Sequence, residues 1–512
     1  MKQPRLTYLF LTFLLALLSA SCKKDSLPAP AAEEEESGSG VYVSVVVNTQ
    51  EESGSRADGA TDDYNPTGGE KGDGEQAGVG EENMVHDLTL FFLNKTLNEA
   101  TEICASAYFD EKDITPAASG SITRYTVQRE IEGLFVGNKY HVVAIVNAGN
   151  LTNVITDIDG LKNHQFREVI DDTHGSERWF LMASEKDSEE IEIRANNSQY
   201  NPTWVNVYVE RMTARVDCAW KDSYEITGEN MPSEGEEQSP GEKDVVKILG
   251  AALVNRYRSG TYAFKRVTNG TDLDNYTIDY LGDEKTNNDD NKASNYVLDS
   301  KTIGGKNSGD YTYYYTEYVD WDVDNDFRDP TNGNVTSNGD RTYYLLDYTR
   351  ENINTEFRLS EEEGVERYAT GIMFKAQYKP AGFTEGVTFY RYTASDGGTP
   401  TLYTAEALKE AFPETFDDAN QSSWGDIEGC DVFLNGWCYY IYWIRHADDG
   451  DVSKISPMEY AIVRNNIYQL YVNSVSQLGT PEPDSNVEEV DTEIHIQVKG
   501  WVSIGVRVPD FD

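Results

Sequence analysis

The chain has 512 residues, with 89 Asp and Glu against 43 Lys and Arg and a formal net charge of -46. This balance argues against nucleic acid as a partner, because phosphate backbones are held by clustered Lys and Arg. It suits a solvated surface whose self-repulsion keeps copies apart unless a specific contact joins them. The length allows two or three domains with large cores.

In chain order, Lys2 and Arg5 precede an apolar run over residues 9–18, too short for a permanent membrane span and typical of a signal peptide. It closes on Leu18-Ser19-Ala20-Ser21-Cys22, where small residues before a cysteine make Cys22 the expected lipidation site; the alternative is an ordinary leader with a chance cysteine. Residues 23–40 are mostly Pro, Ala, Glu, Ser and Gly and read as a tether. Residues 41–47 are β-branched and strand-like, with Val41, Val43, Val45 and Val47 on one face. Beyond them the sequence returns to Gly, Asp, Glu and Ser, and Arg56 stands as one basic residue among acids.

Short β-rich runs then recur at 88–93, 121–128, 140–147, 204–209 and 245–254, and with 33 tyrosines they favour antiparallel sandwiches over βαβ units. Helical patterns are few: 402–412 and 163–169 are candidates. Polar stretches at 228–242 and 283–295 read as surface loops, and a domain boundary is expected within 205–216. Residues 493–508 place Ile494, Ile496, Val498, Val502, Ile504, Val506 and Val508 on one face, with only Gly500 breaking the series. At about 3.3 Å per residue the run reaches about 50 Å, so a bend at Gly500 or service to two partners is implied. Residues 478–491, rich in Pro, Asp and Glu, read as the linker before it.

These features combine into a mechanism. A cut after Arg56, before Ala57, would release the lipid together with the first strand, leaving a sheet with an open groove and unpaired backbone groups. The terminal strand of another molecule could fill it by strand addition, and because groove and strand lie at different places the contact need not close on itself. The same alternation would also arise if both segments were simply the first and last strands of one monomer.

The leader ending in Cys22, the Ser55-Arg56-Ala57 site, Val209-Glu210-Arg211 with Ala214-Arg215, Val463-Arg464-Asn465-Asn466-Ile467-Tyr468 with Ser474-Val475 and Leu478-Gly479, and the terminal strand with Trp501 resemble the major shaft subunits of short fimbriae in Porphyromonas and related Bacteroidia. Residues 217–450 carry no part of that resemblance. It implies two antiparallel Greek-key, transthyretin-like β-sandwich domains with a few short helices and long surface loops. The expected division is 1–22 leader, 23–40 tether, 41–56 removable strand and cleavage loop, 57–204 and 205–478 sandwiches, 479–492 linker and 493–512 donor strand. The resemblance further implies an outer-membrane lipoprotein precursor, an Arg-specific surface protease, a homopolymer joined through the C-terminal strand, accessory anchor and tip subunits, and host or bacterial surface receptors.

Other chemistry is sparse. HExxH, GxSxG, the phosphate-binding loop and GxGxxG after a strand are absent from the sequence, so neither enzyme activity nor a cofactor is expected. Asp322, Asp324 and Asp326 offer hard oxygens at alternate positions, but Phe327 and Gly333 stand where a calcium loop wants Gly and Glu; an ordinary acidic loop is the alternative. Cys430 and Cys438 could bridge in an oxidising envelope or remain buried thiols. Trp437, Tyr439, Tyr440, Tyr442 and Trp443 suggest a second function, a glycan-stacking platform on a surface lipoprotein; packing in a core is their other reading.

Overall fold

The computed structural model describes residues 41–49, 75–78, 80–116, 124–226, 231–234, 241–257, 260–268, 279–281, 296–299, 327–332, 335–338, 341–352, 369–394, 397–419, 421–446, 460–483 and 492–502. The chain is mostly β-sheet with a few short helices. Six strands frame the two ends of the chain and the join between its halves: β1 (Val41–Asn48), β2 (Arg124–Ile131), β3 (Thr203–Arg211), β4 (Ala214–Ala219), β5 (Asn466–Val475) and β6 (Thr492–Val502).

The first sheet runs Ile103–Phe109, Leu88–Leu93, Lys139–Val146, Met182–Ser184, β3, β1, β2 and Thr115–Pro116. Its inner face closes on a core that gathers Leu88, Leu90 and Phe92 from one end and Val45, Val127 and Val207 from the other. Leu88–Leu93 is buried on both faces, as a continuously apolar run requires. Its second face, through Phe91 and Leu93, packs on Leu161 of the helix Ile158–Asn163.

That helix corrects one expectation. The 163–169 pattern is not helical: Asp157 Oδ1 accepts a hydrogen bond from Gly160 N at 2.7 Å, so the helix is capped earlier, and Gln165–Phe166 pairs with Thr261–Tyr262 as a short ladder. The 402–412 pattern does give a helix, Ala405–Ala411, started by the Thr404 hydroxyl accepting from Ala407 N at 3.2 Å.

Two facing sheets build the second half. One runs Glu75–Ala77, β6, β5, β4, Arg341–Thr349 and Val335–Asn338; the other runs Tyr224–Glu225, Val245–Val254, Gly371–Lys379 and Trp437–Trp443. Val216, Cys218, Ile372, Phe374, Tyr440 and Leu470 fill the space between them. Most ladders are antiparallel, but β1 with β3 and β4 with β5 are parallel pairs. Sheet membership changes at Met212–Thr213, between β3 and β4.

A buried polar junction joins the halves at that point. Arg215, fully buried, forks onto Asp217 at 2.7 and 3.0 Å and reaches Glu82 at 3.2 Å, and Glu82 also accepts from the Tyr348 hydroxyl. Arg211 donates to the Glu82 carbonyl at 2.8 Å, to Asn83 and to Asn465 Oδ1 at 3.1 Å. Asn465 sits at φ 56°, a left-handed position asparagine tolerates, and its N–H reaches the Thr213 carbonyl at 2.9 Å. Arg464 forks onto Glu351 at 2.8 and 2.7 Å, and Lys265 meets Glu210 at 3.2 Å. Burial pulls the Arg211 guanidinium down to about 10, still charged at neutral pH.

Candidate functional site

β1 is an interior strand. It is antiparallel to β2 from Val41 opposite Ile131 to Asn48 opposite Arg124, and parallel to β3 from Val43 opposite Thr203 to Asn48 opposite Tyr208. Val41, Val43, Val45 and Val47 all point into the first core and are at most 4% exposed. Fully burying four such side chains is worth about 6–12 kcal/mol as an upper figure, before ordering costs. Lifting β1 out would leave β2 and β3 two strand spacings apart, about 10 Å, with both edges unpaired over an apolar floor.

The outer face of this seat is partly roofed by the loop at 194–202. The Asn197 carboxamide accepts from Tyr42 N at 2.7 Å and donates to Tyr42 O at 2.8 Å, gripping backbone rather than side chain. It acts one step before the β3 ladder begins, where Pro202 has no N–H to offer. Gln128 Nε2 donates to Gln199 O at 2.8 Å on the other side. Ser44, between these two contacts and opposite Gln128 and Trp204, is 0% exposed. Sequence reasoning missed Asn197 and Ser44, since one polar side chain in a loop and one serine in a valine run carry no periodic signal.

At the other end of the chain, β6 lies antiparallel to β5 from Thr492 opposite Val475 to Gly500 opposite Asn466. Gly500 is also opposite Glu75, and Trp501 and Val502 continue opposite Gln76 and Ala77 in a parallel ladder. The strand thus serves two partners, changing over at Gly500, as its length implied. Ile494 is half-buried against the second core. Ile496, Val498 and Val502 lie on this strand, whereas Ile504, Val506 and Val508 fall outside the described residues. The expected linker starts later than its composition suggested. Leu478 is buried, Thr480 and Tyr439 exchange backbone hydrogen bonds at 2.9 and 3.0 Å, and a Cβ on Gly479 would stand 2.3 Å from the Tyr439 carbonyl oxygen.

Cys22, Arg56, Ala57, Asp322, Asp324 and Asp326 also lie outside the described residues. Cys104, Cys218, Cys430 and Cys438 carry free thiols, and burial pushes Cys430 and Cys438 up to about 12. Tyr439, Tyr440, Tyr442 and Trp443 are 1–6% exposed, so the aromatic cluster is core packing. Only Trp437 of that group is half-buried, with Lys375 Nζ 4.1 Å above its ring. No helix among the described residues is long and apolar enough to cross a membrane.

Residues 431–512, which include Trp437–Trp443, β5 and β6, match the family model described as major fimbrial subunit protein type IV, Fimbrillin, C-terminal. No curated protein matches the chain in sequence. Among solved structures, a fimbrilin from Porphyromonas gingivalis W83 aligns at 12% identity over 92% of this chain and 99% of its own, with a TM-score of 0.36. The tip fimbrial protein Mfa3 from Porphyromonas gingivalis, C-terminally truncated, aligns at 11% identity over 90% and 99%, with a TM-score of 0.34. A candidate cell adhesion protein from Parabacteroides distasonis ATCC 8503 aligns at 12% identity over 91% and 99%, with a TM-score of 0.39.

Proposed function

We propose that this chain is the precursor of a fimbrial shaft subunit: exported, lipidated at Cys22, cut after Arg56 at the cell surface, and polymerised by donor-strand exchange to support adhesion, biofilm and colonisation. The family match of residues 431–512 supports the fimbrial class. The observation that carries the mechanism is the position of β1. An N-terminal strand of eight residues sits between two others, holds four buried valines, and is followed by the segment bearing Arg56. Its loss would open a groove of the kind a mobile strand from a second copy fills, and repetition of that heterologous contact yields a filament. Anchor and tip subunits would then end the fibre. The glycan-binding reading draws no support from Tyr439, Tyr440, Tyr442 and Trp443, whose rings are in the core.

The test is to incubate the purified soluble precursor with an Arg-specific protease and follow it by N-terminal sequencing and SDS-resistant laddering. A new N-terminus at Ala57, with ladders that vanish when residues 493–512 are deleted, is the expected result. Clean cleavage with persistent monomer would overturn the shaft assignment.

A further inference from the structure

β1 and the C-terminal segment carry the same short pattern in the same direction. Tyr42-Val43-Ser44-Val45-Val46-Val47 reads against Trp501-Val502-Ser503-Ile504-Gly505-Val506 as aromatic, valine, serine, β-branched, small or apolar, valine. The seat gives each of those positions a physical meaning. The inner face takes Val43, Val45 and Val47, for which Val502, Ile504 and Val506 are equivalents of similar shape. On the outer face Ser44 is 0% exposed, and its hydroxyl has no hydrogen-bond partner among the described residues, so that position selects for size rather than for polarity. Val46 is 8% exposed and excludes a charge, whereas Asn48 is half-buried and reaches the Val207 carbonyl at 3.4 Å, so a polar chain is accepted there.

Sliding the terminal segment through the seat leaves one acceptable register. With Ser503 at the Ser44 position, Trp501, Gly505 and Arg507 fall at the positions of Tyr42, Val46 and Asn48. Two residues one way, Gly505 would replace Ser44 and Arg507 would be buried at Val46; two residues the other way, the Trp501 indole would fall where only a serine fits. Further back, Lys499 would meet the same closed position. A slip of one residue would turn the whole apolar set outward.

We propose that residues 500–507 of a second copy of this chain enter the seat in the direction of β1, with Ser503 at the Ser44 position, while residues 492–499 remain on β5 of their own molecule. The inference rests on the donor-strand reading above and names its register and its selecting residues. Gly500 is then the point where the strand passes from one molecule to the next, as it is already where β6 changes partner within the chain. Among the described residues, the short ladder of Trp501 and Val502 with Gln76 and Ala77 must be released. Asn197, which meets β1 through backbone atoms alone, would grip Trp501 as it grips Tyr42.

Cysteine cross-linking between two populations reads the register. Gln128 is opposite Ser44, and Cβ atoms of such antiparallel pairs are about 4.5–5.5 Å apart, close to disulfide reach. Precursor carrying Gln128→Cys is mixed with precursor carrying Trp501→Cys, Ser503→Cys or Gly505→Cys, cut by the Arg-specific protease and gently oxidised. Intermolecular disulfide formation several-fold higher with Ser503→Cys than with the other two is the expected result. Ladders in the unsubstituted protein with cross-linking strongest at 501 or 505 overturn the register and leave donor-strand exchange standing; absence of ladders in the unsubstituted protein overturns both. Independently, Ser503→Leu should abolish laddering and Ser503→Ala should retain it, in precursors whose unfolding midpoints match the parent. Laddering by Ser503→Leu at the parental rate would overturn the size selection.

Discussion

The seat of β1 and the junction around Arg215 are both buried, yet they are built from opposite materials. The seat is an apolar floor flanked by two backbone edges, and nothing in it depends on a particular charged partner. At the junction, Arg215, Asp217, Glu82 and Tyr348 each answer a specific neighbour. An apolar, backbone-read site can accept any strand with the right alternation and a small residue at the Ser44 position. A satisfied ion cluster accepts no substitute, so it suits a part of the molecule that keeps one geometry.

The largest test of that contrast is Arg215→Ala. It leaves Glu82 and Asp217 buried without their cation, and removing one member of a buried ion pair costs about 3–5 kcal/mol. Denaturant unfolding of the precursor should show that loss, and Arg215→Met combined with Glu82→Gln and Asp217→Asn should recover much of it. A cost below about 1 kcal/mol for the single change would mean the junction is wet and the contrast misplaced.

Val45→Ala probes the other side. Two methyl groups lost from a fully buried position, with the cavity left behind, should cost about 2 kcal/mol in the precursor. If β1 leaves on maturation, the assembled polymer should melt as the parent does. An equal drop in precursor and polymer would show that β1 stays in place.

Much of the apolar seat was legible in the sequence and almost none of the junction was. Period-two valines and the runs at 88–93 and 245–254 announce strands because burial of one or both faces leaves a repeating mark. Glu82 and Asn83 follow an acidic, glycine-rich stretch and look like surface, yet they are 0% and 8% exposed because Arg211 and Arg215 arrive from about 130 residues later. Such pairing has no period. The family-like motifs Glu210-Arg211 and Arg464-Asn465-Asn466 pointed at these residues without saying what they do; in the fold they tie the halves together. The misplaced helix at 163–169 has a local cause, the Asp157 cap, that a short apolar pattern outweighed.

The thiols test whether the second half stays closed under the proposed loss of β1 from the first. Cys218 and Cys438 are in the second core, and burial raises both, Cys438 to about 12. A thiol whose folded value lies above its unfolded value of 9.0 stabilises the fold fully below pH 9, and that contribution declines from there toward pH 12. A thiol reagent at pH 8 should therefore find Cys104, which is half-exposed, and spare Cys218 and Cys438 both before and after cleavage at Arg56. Labelling of Cys218 or Cys438 on cleavage would mean that the junction does not insulate the two cores.

The smallest effect is expected at Ser44, and it separates two descriptions of the seat. If the position is read by size, the hydroxyl contributes nothing, because it is buried without a partner among the described residues. Ser44→Ala then removes a polar group that was stripped of water for no return, and the precursor should be unchanged or more stable by up to about 1 kcal/mol. If the position is instead read by hydrogen bonding, alanine leaves a partner unsatisfied and costs about 1–3 kcal/mol. Equilibrium unfolding of this one variant resolves the sign. A loss would move the seat toward the junction in character, a site that recognises chemistry; a null or a gain keeps it an apolar slot with a backbone grip, in which any strand with a small residue at that point can take the place of β1.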